Sequence, residues 1–153
     1  MFNYLGRVMT AGDKDWPAVS GNLVKARRSW GRLSWILIRE GAYKRVSGNF
    51  FKAMVQAMLL FGAETWVLIP RIDWSLESFQ HRAVRRITRR KPWRRGDGQW
   101  TYPPLKEARI EVGFESIRKA ITRRQNTVAQ YIATQPILDL CERAAQRMGV
   151  RVS

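Results

Sequence analysis

Eight basic residues crowd the stretch Arg82, Arg85, Arg86, Arg89, Arg90, Lys91, Arg94 and Arg95, and no acidic residue falls between Ser78 and Gly96. The guanidinium group is planar, permanently charged and forked, so arginine holds a phosphate through two parallel hydrogen bonds. Trp93, Trp100 and Tyr102 are interleaved with this charge or follow it closely. Flat rings can stack on unpaired bases while arginines hold the backbone. A charge run ordinarily means a solvated face. Three features argue instead for a polyanion contact: the missing acids, the preference for arginine over lysine, and the aromatic neighbours. For Trp100 and Tyr102, which stand beside Pro103 and Pro104, anchoring of the loop onto the core is the simpler expectation. A second basic cluster, Arg118, Lys119, Arg123 and Arg124, lies further along the chain.

Other chemistry finds little support. No glycine-rich phosphate loop, dinucleotide fingerprint, zinc-binding Cys/His set or His-Glu-x-x-His motif occurs. Polymerase or nuclease chemistry needs carboxylates converging on two metal ions, which stabilise the attacking and leaving oxygens. Asp13 and Asp15 flank a turn, and Glu107 and Glu111 are spaced i,i+4 near Arg109 as ordinary helix-surface charges. His81 and Cys141 each stand alone in sequence, so no nucleophile and base can be paired from them. Glu64, inside the most apolar segment, is expected to pair with an arginine. No metal, cofactor or small-molecule substrate is implied, and the chain by itself is expected to bind rather than catalyse.

Composition agrees. The 153 residues carry 28 Lys and Arg against 12 Asp and Glu, a formal net charge of +16. Such self-repulsion opposes compaction, and a phosphate backbone relieves it while releasing condensed counterions. The hydrophobic fraction of 45% and seven tryptophans argue against disorder, so the charge must sit on a folded surface. One cysteine leaves no internal disulfide, and Met1 to Thr10 has no apolar signal core, which points to an intracellular setting. The longest apolar tract, Ala53 to Ile69, contains Gln56, Glu64 and Thr65 and falls short of the roughly 18 to 20 unbroken residues that span a bilayer.

Positioning these residues calls for a mainly α fold, a bundle of about five to six helices with a short N-terminal strand remnant. Phe2 to Met9 alternates like a single strand whose partner is missing. Asp15 is placed to cap a helix entered through Trp16 and Pro17. Val19, Leu23, Ala26, Trp30, Leu33 and Leu37 form its apolar stripe, with Lys25, Arg27, Arg28 and Arg32 mostly turned away and Gly41 ending it. A second helix over about 48–68 is apolar on nearly every side (Phe50, Phe51, Met54, Val55, Met58, Leu59, Phe61, Trp66), the expected centre of the domain, and Pro70 stops it. Asp73 is placed to cap a third helix reaching about Arg90. At 100° per residue Leu76, Phe79, Ala83 and Ile87 share one side of it, and Arg82, Arg85, Arg86 and Arg89 the other. An aperiodic, turn-rich loop follows to Pro104. A short helix then runs from Leu105 to a stop at Gly113, and a longer one over about 116–134 turns Ile117, Ala120, Ile121, Val128 and Ile132 inward. A last helix beyond Pro136 carries Leu140, Cys141, Ala144 and Met148.

Phe2-Asn3-Tyr4-Leu5-Gly6 resembles the Phe-x-Tyr-Leu-Gly segment of non-LTR (LINE-type) retrotransposon reverse transcriptases, where it follows the palm carboxylates in the primer-gripping hairpin. Leu59-Leu60-Phe61-Gly62-Ala63-Glu64-Thr65-Trp66 is similar to the Leu-Leu-(Phe/Tyr)-Gly-x-Glu-x-Trp signature found downstream in the same elements. Trp100 to Leu105 and Arg123 to Cys141, centred on Arg124-Gln125-Asn126-Thr127-Val128-Ala129, also resemble the tail of such reading frames, so the likeness covers nearly the whole chain. The resemblance implies a primer-grip strand over 1–12, with Tyr4, Leu5 and Gly6 as its marks, and a thumb-like helical domain over 13–153. It implies RNA, DNA or an RNA–DNA hybrid as partner, beside a palm whose Tyr/Phe-x-Asp-Asp motif would precede Met1, and a nuclear location is open to such a protein. The residues alone also allow a structural or protein-binding basic domain with no role on nucleic acid. A helix-turn-helix reader fits less well, because Trp74, Ser75 and Leu76 lead the third helix where base-reading polar residues would stand.

Overall fold

The computed structural model describes residues 2–4, 7–9, 15–134 and 143–149. Strands β1 (Phe2–Tyr4) and β2 (Arg7–Met9) pair antiparallel, with Asn3 opposite Val8. The expected lone strand is therefore a hairpin, and its backbone groups find their partner within the same short segment. Leu5 and Gly6, expected as primer-grip marks beside Tyr4, lie outside the described residues, as do Leu140 and Cys141.

Helix α1 (Trp16–Arg39) takes Pro17 in its first turn, where the missing N–H breaks no helical bond. Asp15 stands at the cap position but does not cap; its carboxylate accepts a hydrogen bond from Val67 N at 2.9 Å, tying the helix start to a distant loop. Val19, Leu23, Ala26, Trp30 and Leu37 are buried and Leu33 packs partly against them, as their spacing requires.

The next helix is continuous but irregular: α2 (Lys44–Phe50), a π-helical segment (Phe51–Gln56) and α3 (Ala57–Leu59). Phe51, Val55 and Leu59, four apart, are fully buried. Phe50, Met54 and Met58 are exposed, so this helix is half-buried rather than enclosed on all sides. At Gly48 the backbone at Val112 passes so close that a Cβ would collide with the Val112 carbonyl. The helix also stops earlier than Pro70. Gly62 adopts φ 79°, which glycine takes without steric cost, and a 3-10 turn (Ala63–Thr65) reverses the chain. Pro70 instead opens α4 (Pro70–Thr88), so Asp73 lies in its first turn rather than at its cap.

Helix α4 places Ile72, Leu76, Phe79, Ala83, Val84 and Ile87 inward. Phe51 is the hub of the core, packed edge-on against Trp30 (ring centroids 5.2 Å) and tilted against Phe79 (5.9 Å) and Phe114 (4.9 Å). Each such fully buried ring or branched side chain contributes about 1.5–3 kcal/mol relative to exposure. Strands β3 (Trp93–Arg94) and β4 (Trp100–Thr101) make a second hairpin, where an aperiodic loop was expected. Helices α5 (Leu105–Val112) and α6 (Ile117–Thr134) follow, with Gly113 (φ 78°) closing α5 as its sequence suggests. Ile117, Ala120 and Ile121 are buried, but Val128 and Ile132 are exposed among the described residues, against expectation. Residues 143–147 are helical, and Ala144 and Met148 are exposed rather than packed inward. No helix of the described residues is long and apolar enough to cross a membrane.

Candidate nucleic-acid interface

The corner between α3 and α4 locks the helices in place. Buried Asn22 on α1 donates to Leu59 O (3.2 Å) and Phe61 O (3.0 Å), carbonyls at the end of α3 that have no helical partner. Arg124 donates to Leu60 O (3.1 Å), and Gln125 to Ala63 O (3.3 Å) and Trp66 O (2.8 Å). Glu64 lies 3.7 Å from Arg124, the arginine pairing its position calls for. The segment Leu59 to Trp66 is thus a buried turn held from α1 and α6, with Leu59, Leu60, Ala63 and Trp66 as its apolar side.

A polar network fixes the middle of α4. Fully buried Gln80 donates to Glu115 O at 2.8 Å and accepts from Arg109 Nη2 at 3.1 Å. Glu77 pairs with Arg109 and accepts from Ile117 N at 3.0 Å, placing a carboxylate at the positive start of α6. His81 Nε2 stands 2.8 Å from Arg109 Nη2 and 3.4 Å from Glu77 Oε2, so it is not the isolated residue the sequence suggested. Burial, and then the charge of Arg109, lower its pKa from the ordinary 6.5 against the opposing pull of Glu77. Sequence reading missed this cluster. The i,i+4 spacing of Glu77 and His81 was the available signal, but Arg109 reaches them only through the fold.

Above this network α4 turns its basic side to solvent. Arg82, Arg86 and Arg89 are exposed and Arg85 is half-buried, its guanidinium 4.9 Å from the centre of the Tyr102 ring. Arg89 ends the helix in the left-handed region at φ 56°, a position that usually belongs to glycine. Arg85, Arg86, Arg89, Arg90, Lys91, Pro92 and Ile38 line an open depression of about 410 Å³.

The hairpin continues this surface. Its turn is closed by Arg95 N to Gln99 O (2.8 Å), Gly98 N to Arg95 O (3.0 Å) and Arg94 Nε to Gly98 O (3.2 Å). Trp93 pairs across to Thr101 and Arg94 to Trp100, so Arg94 and Trp100 share one face. Trp93, Trp100 and Tyr102 are 52%, 60% and 57% exposed, so the expected anchoring of Trp100 and Tyr102 into the core does not occur.

The structure divides the basic residues singled out in the sequence. Among the described residues, no carboxylate lies within ion-pair distance of Arg82, Arg85, Arg86, Arg89, Lys91, Arg94 or Arg95. Lys119 likewise has none, whereas Arg90, Arg118, Arg123 and Arg124 each hold at least one. Arg90 pairs with Glu111 (2.7 Å) and Glu107 (3.7 Å), Arg118 with Asp73 (3.0 Å), Arg123 with Glu115 (2.6 Å) and Arg124 with Glu64. Glu111 also accepts from Lys44 Nζ at 2.9 Å. That hydrogen bond, with the charge of Arg90, holds its carboxyl below the usual glutamate value against partial desolvation. Glu107 and Glu111 therefore join α5 to its neighbours rather than merely solubilising it. Among the described residues no three His, Cys, Asp or Glu side chains are grouped as metal ligands. Compared with known proteins, the chain matches no family model, no curated protein and no solved structure.

Proposed function

We propose that this domain grips nucleic acid without reading its sequence, and that it serves as the non-catalytic, thumb-like part of a LINE-type retrotransposon reverse transcriptase. Arg82, Arg85, Arg86, Arg89, Lys91, Arg94 and Arg95 contact phosphates, and Trp93, Trp100 and Tyr102 offer stacking faces to unpaired bases. One observation carries the binding role: these cations have no carboxylate partner among the described residues, while most acids that could neutralise them are engaged on other elements. A phosphate backbone supplies the missing counter-charge, and contacts of this type position a strand without specifying sequence. The parentage draws on the sequence resemblance, and an exposed basic helix face beside a helical core is in keeping with a thumb.

Fluorescence anisotropy with an RNA–DNA hybrid and with single strands tests the binding role. Affinity is expected to fall steeply as salt rises from about 50 to 200 mM, with little dependence on base composition. Salt-insensitive binding, or none at low salt, overturns the reading. The parentage is tested separately in the adjoining DNA, where a Tyr/Phe-x-Asp-Asp palm motif is expected upstream, intact or interrupted. Upstream sequence with no trace of a palm removes it. A second reading, a protein-binding basic domain with no role on nucleic acid, draws on the exposed apolar surface of Met54 and Met58; it expects no binding of any polynucleotide.

A further inference from the structure

Between α1 and the helix of α2 and α3 runs an open groove of about 560 Å³. Its floor is Leu33, Ile36, Met54 and Met58, and its α1 rim carries Lys25, Arg28 and Arg32. Ile36 and Met54 are 50% and 51% exposed. A contiguous apolar patch with a polar rim marks a contact site rather than ordinary surface.

We propose that this groove docks a short amphipathic α-helix of a partner protein, one whose apolar stripe is flanked by acidic residues. Lys25 to Ile36 spans three turns of α1, about 16 Å at 1.5 Å per residue, which suits anchors at i, i+3 or i+4, and i+7. Methionine side chains are unbranched and polarizable, so Met54 and Met58 adapt to the anchor they meet. Charge complementarity selects the flanks. Lys25, Arg28 and Arg32 have no carboxylate partner among the described residues, so acidic side chains beside the stripe both neutralise them and fix the direction of docking. A polynucleotide would satisfy the rim but leave the apolar floor wet, and the flat surface of a bilayer fits a concave floor poorly. The docking does not depend on the nucleic-acid reading, because it uses different side chains.

The test measures anisotropy of a labelled helical peptide of about 16 residues, leucine on one stripe and glutamate on its flanks, added to the full chain. Saturable binding is expected, at least about tenfold tighter than that of the same peptide with lysine flanks. Met54→Glu with Met58→Glu, and independently Arg28→Glu with Arg32→Glu, should each weaken it by about tenfold or more, while Arg85→Glu with Arg86→Glu changes it by less than about twofold. The α1 pair keeps the test decisive should the methionine pair disturb folding. Equal affinity for both peptides, or equal loss from the α4 pair, overturns the proposal. So does binding to phosphatidylserine vesicles that Met54→Glu abolishes when the glutamate-flanked peptide does not bind.

Discussion

Helices α4 and α6 are both rich in arginine, yet the two sets of guanidinium groups are used differently. On α6, Arg118, Arg123 and Arg124 reach Asp73, Glu115 and Glu64, residues of α4, of the turn before α6 and of the corner after α3. On the last turns of α4 and the hairpin behind it, Arg82, Arg85, Arg86, Arg89, Arg94 and Arg95 meet no acid among the described residues. One set spends its charge on holding the fold; the other leaves it at the surface. Exposed ion pairs contribute little each, about 0–1 kcal/mol, so the α6 pairs matter mainly where they also satisfy backbone groups, as Arg124 does at Leu60 O. Unneutralised charge at the end of α4 interacts favourably with the negative end of the helix dipole, but only by about 0.3–1 kcal/mol per group near the terminus. That effect does not account for cations extending through a whole hairpin.

The sharpest way to break this comparison is to reverse charge on one side only. Arg85→Glu, Arg86→Glu and Arg89→Glu together should lower affinity for an RNA–DNA hybrid by about 100-fold and flatten the salt dependence by about three phosphate contacts, with no change in base preference. Anisotropy across a salt series reads both. If affinity holds, the α4 surface is an ordinary solvated face.

Arg124→Met probes the other side. It leaves Glu64 without its arginine and Leu60 O with only the Ala63 N donor, so a loss of about 1 kcal/mol in unfolding free energy is expected by urea denaturation, with affinity per folded molecule changed by less than about threefold. A large drop in affinity at unchanged stability would place α6 in the binding surface after all.

How far this division could be read in advance depends on the range over which each cause acts. The inward stripes of α1 and α4, the stop at Gly113 and the need of Glu64 for an arginine all follow from local spacing or from one buried charge, and all appear in the structure. Which arginines stay free does not. Arg124 and Glu64 are sixty positions apart, and Arg118 meets Asp73 only because α6 crosses the start of α4. The helix of α2 and α3 misled for a related reason: apolar side chains all round it imply burial only if a neighbour covers each face, and Met54 and Met58 are only partly covered. Pro70 and Gly62 were both legible as punctuation, but glycine's left-handed turn ended the earlier helix while proline began the next. The β3–β4 hairpin rests on two-residue strands, too short to show alternation.

Arg89 allows a finer separation, because it combines a strained backbone with a free cation. At φ 56° an L-residue meets a steric penalty that glycine escapes, offset in part by the greater freedom of glycine in the unfolded chain. Arg89→Gly should therefore raise the melting temperature slightly, by about 1–2 °C, while weakening hybrid binding by about threefold through loss of one phosphate contact. Stability and affinity moving in opposite directions would show that this arginine is kept for contact and not for folding. A parallel loss of both would assign it a structural role like that of Arg124.

His81 marks the boundary between the two uses, lying one residue before Arg82 but bound into the Glu77–Arg109 network. Its pKa is lowered in the folded chain, first by burial and then by Arg109, so the unfolded chain takes up the proton more readily. Its contribution to stability is therefore complete above the ordinary histidine value of 6.5 and is lost as pH falls below 6.5 through the lower folded value. The melting temperature should decline between about pH 7.5 and pH 5.5, and His81→Gln, which carries no titrating ring, should flatten that decline. Because the network anchors α4 from beneath while its arginines lie outside it, affinity per folded molecule should follow the wild-type salt dependence at both pH values. A decline that survives unchanged in His81→Gln would show that His81 is not the source of the acid sensitivity.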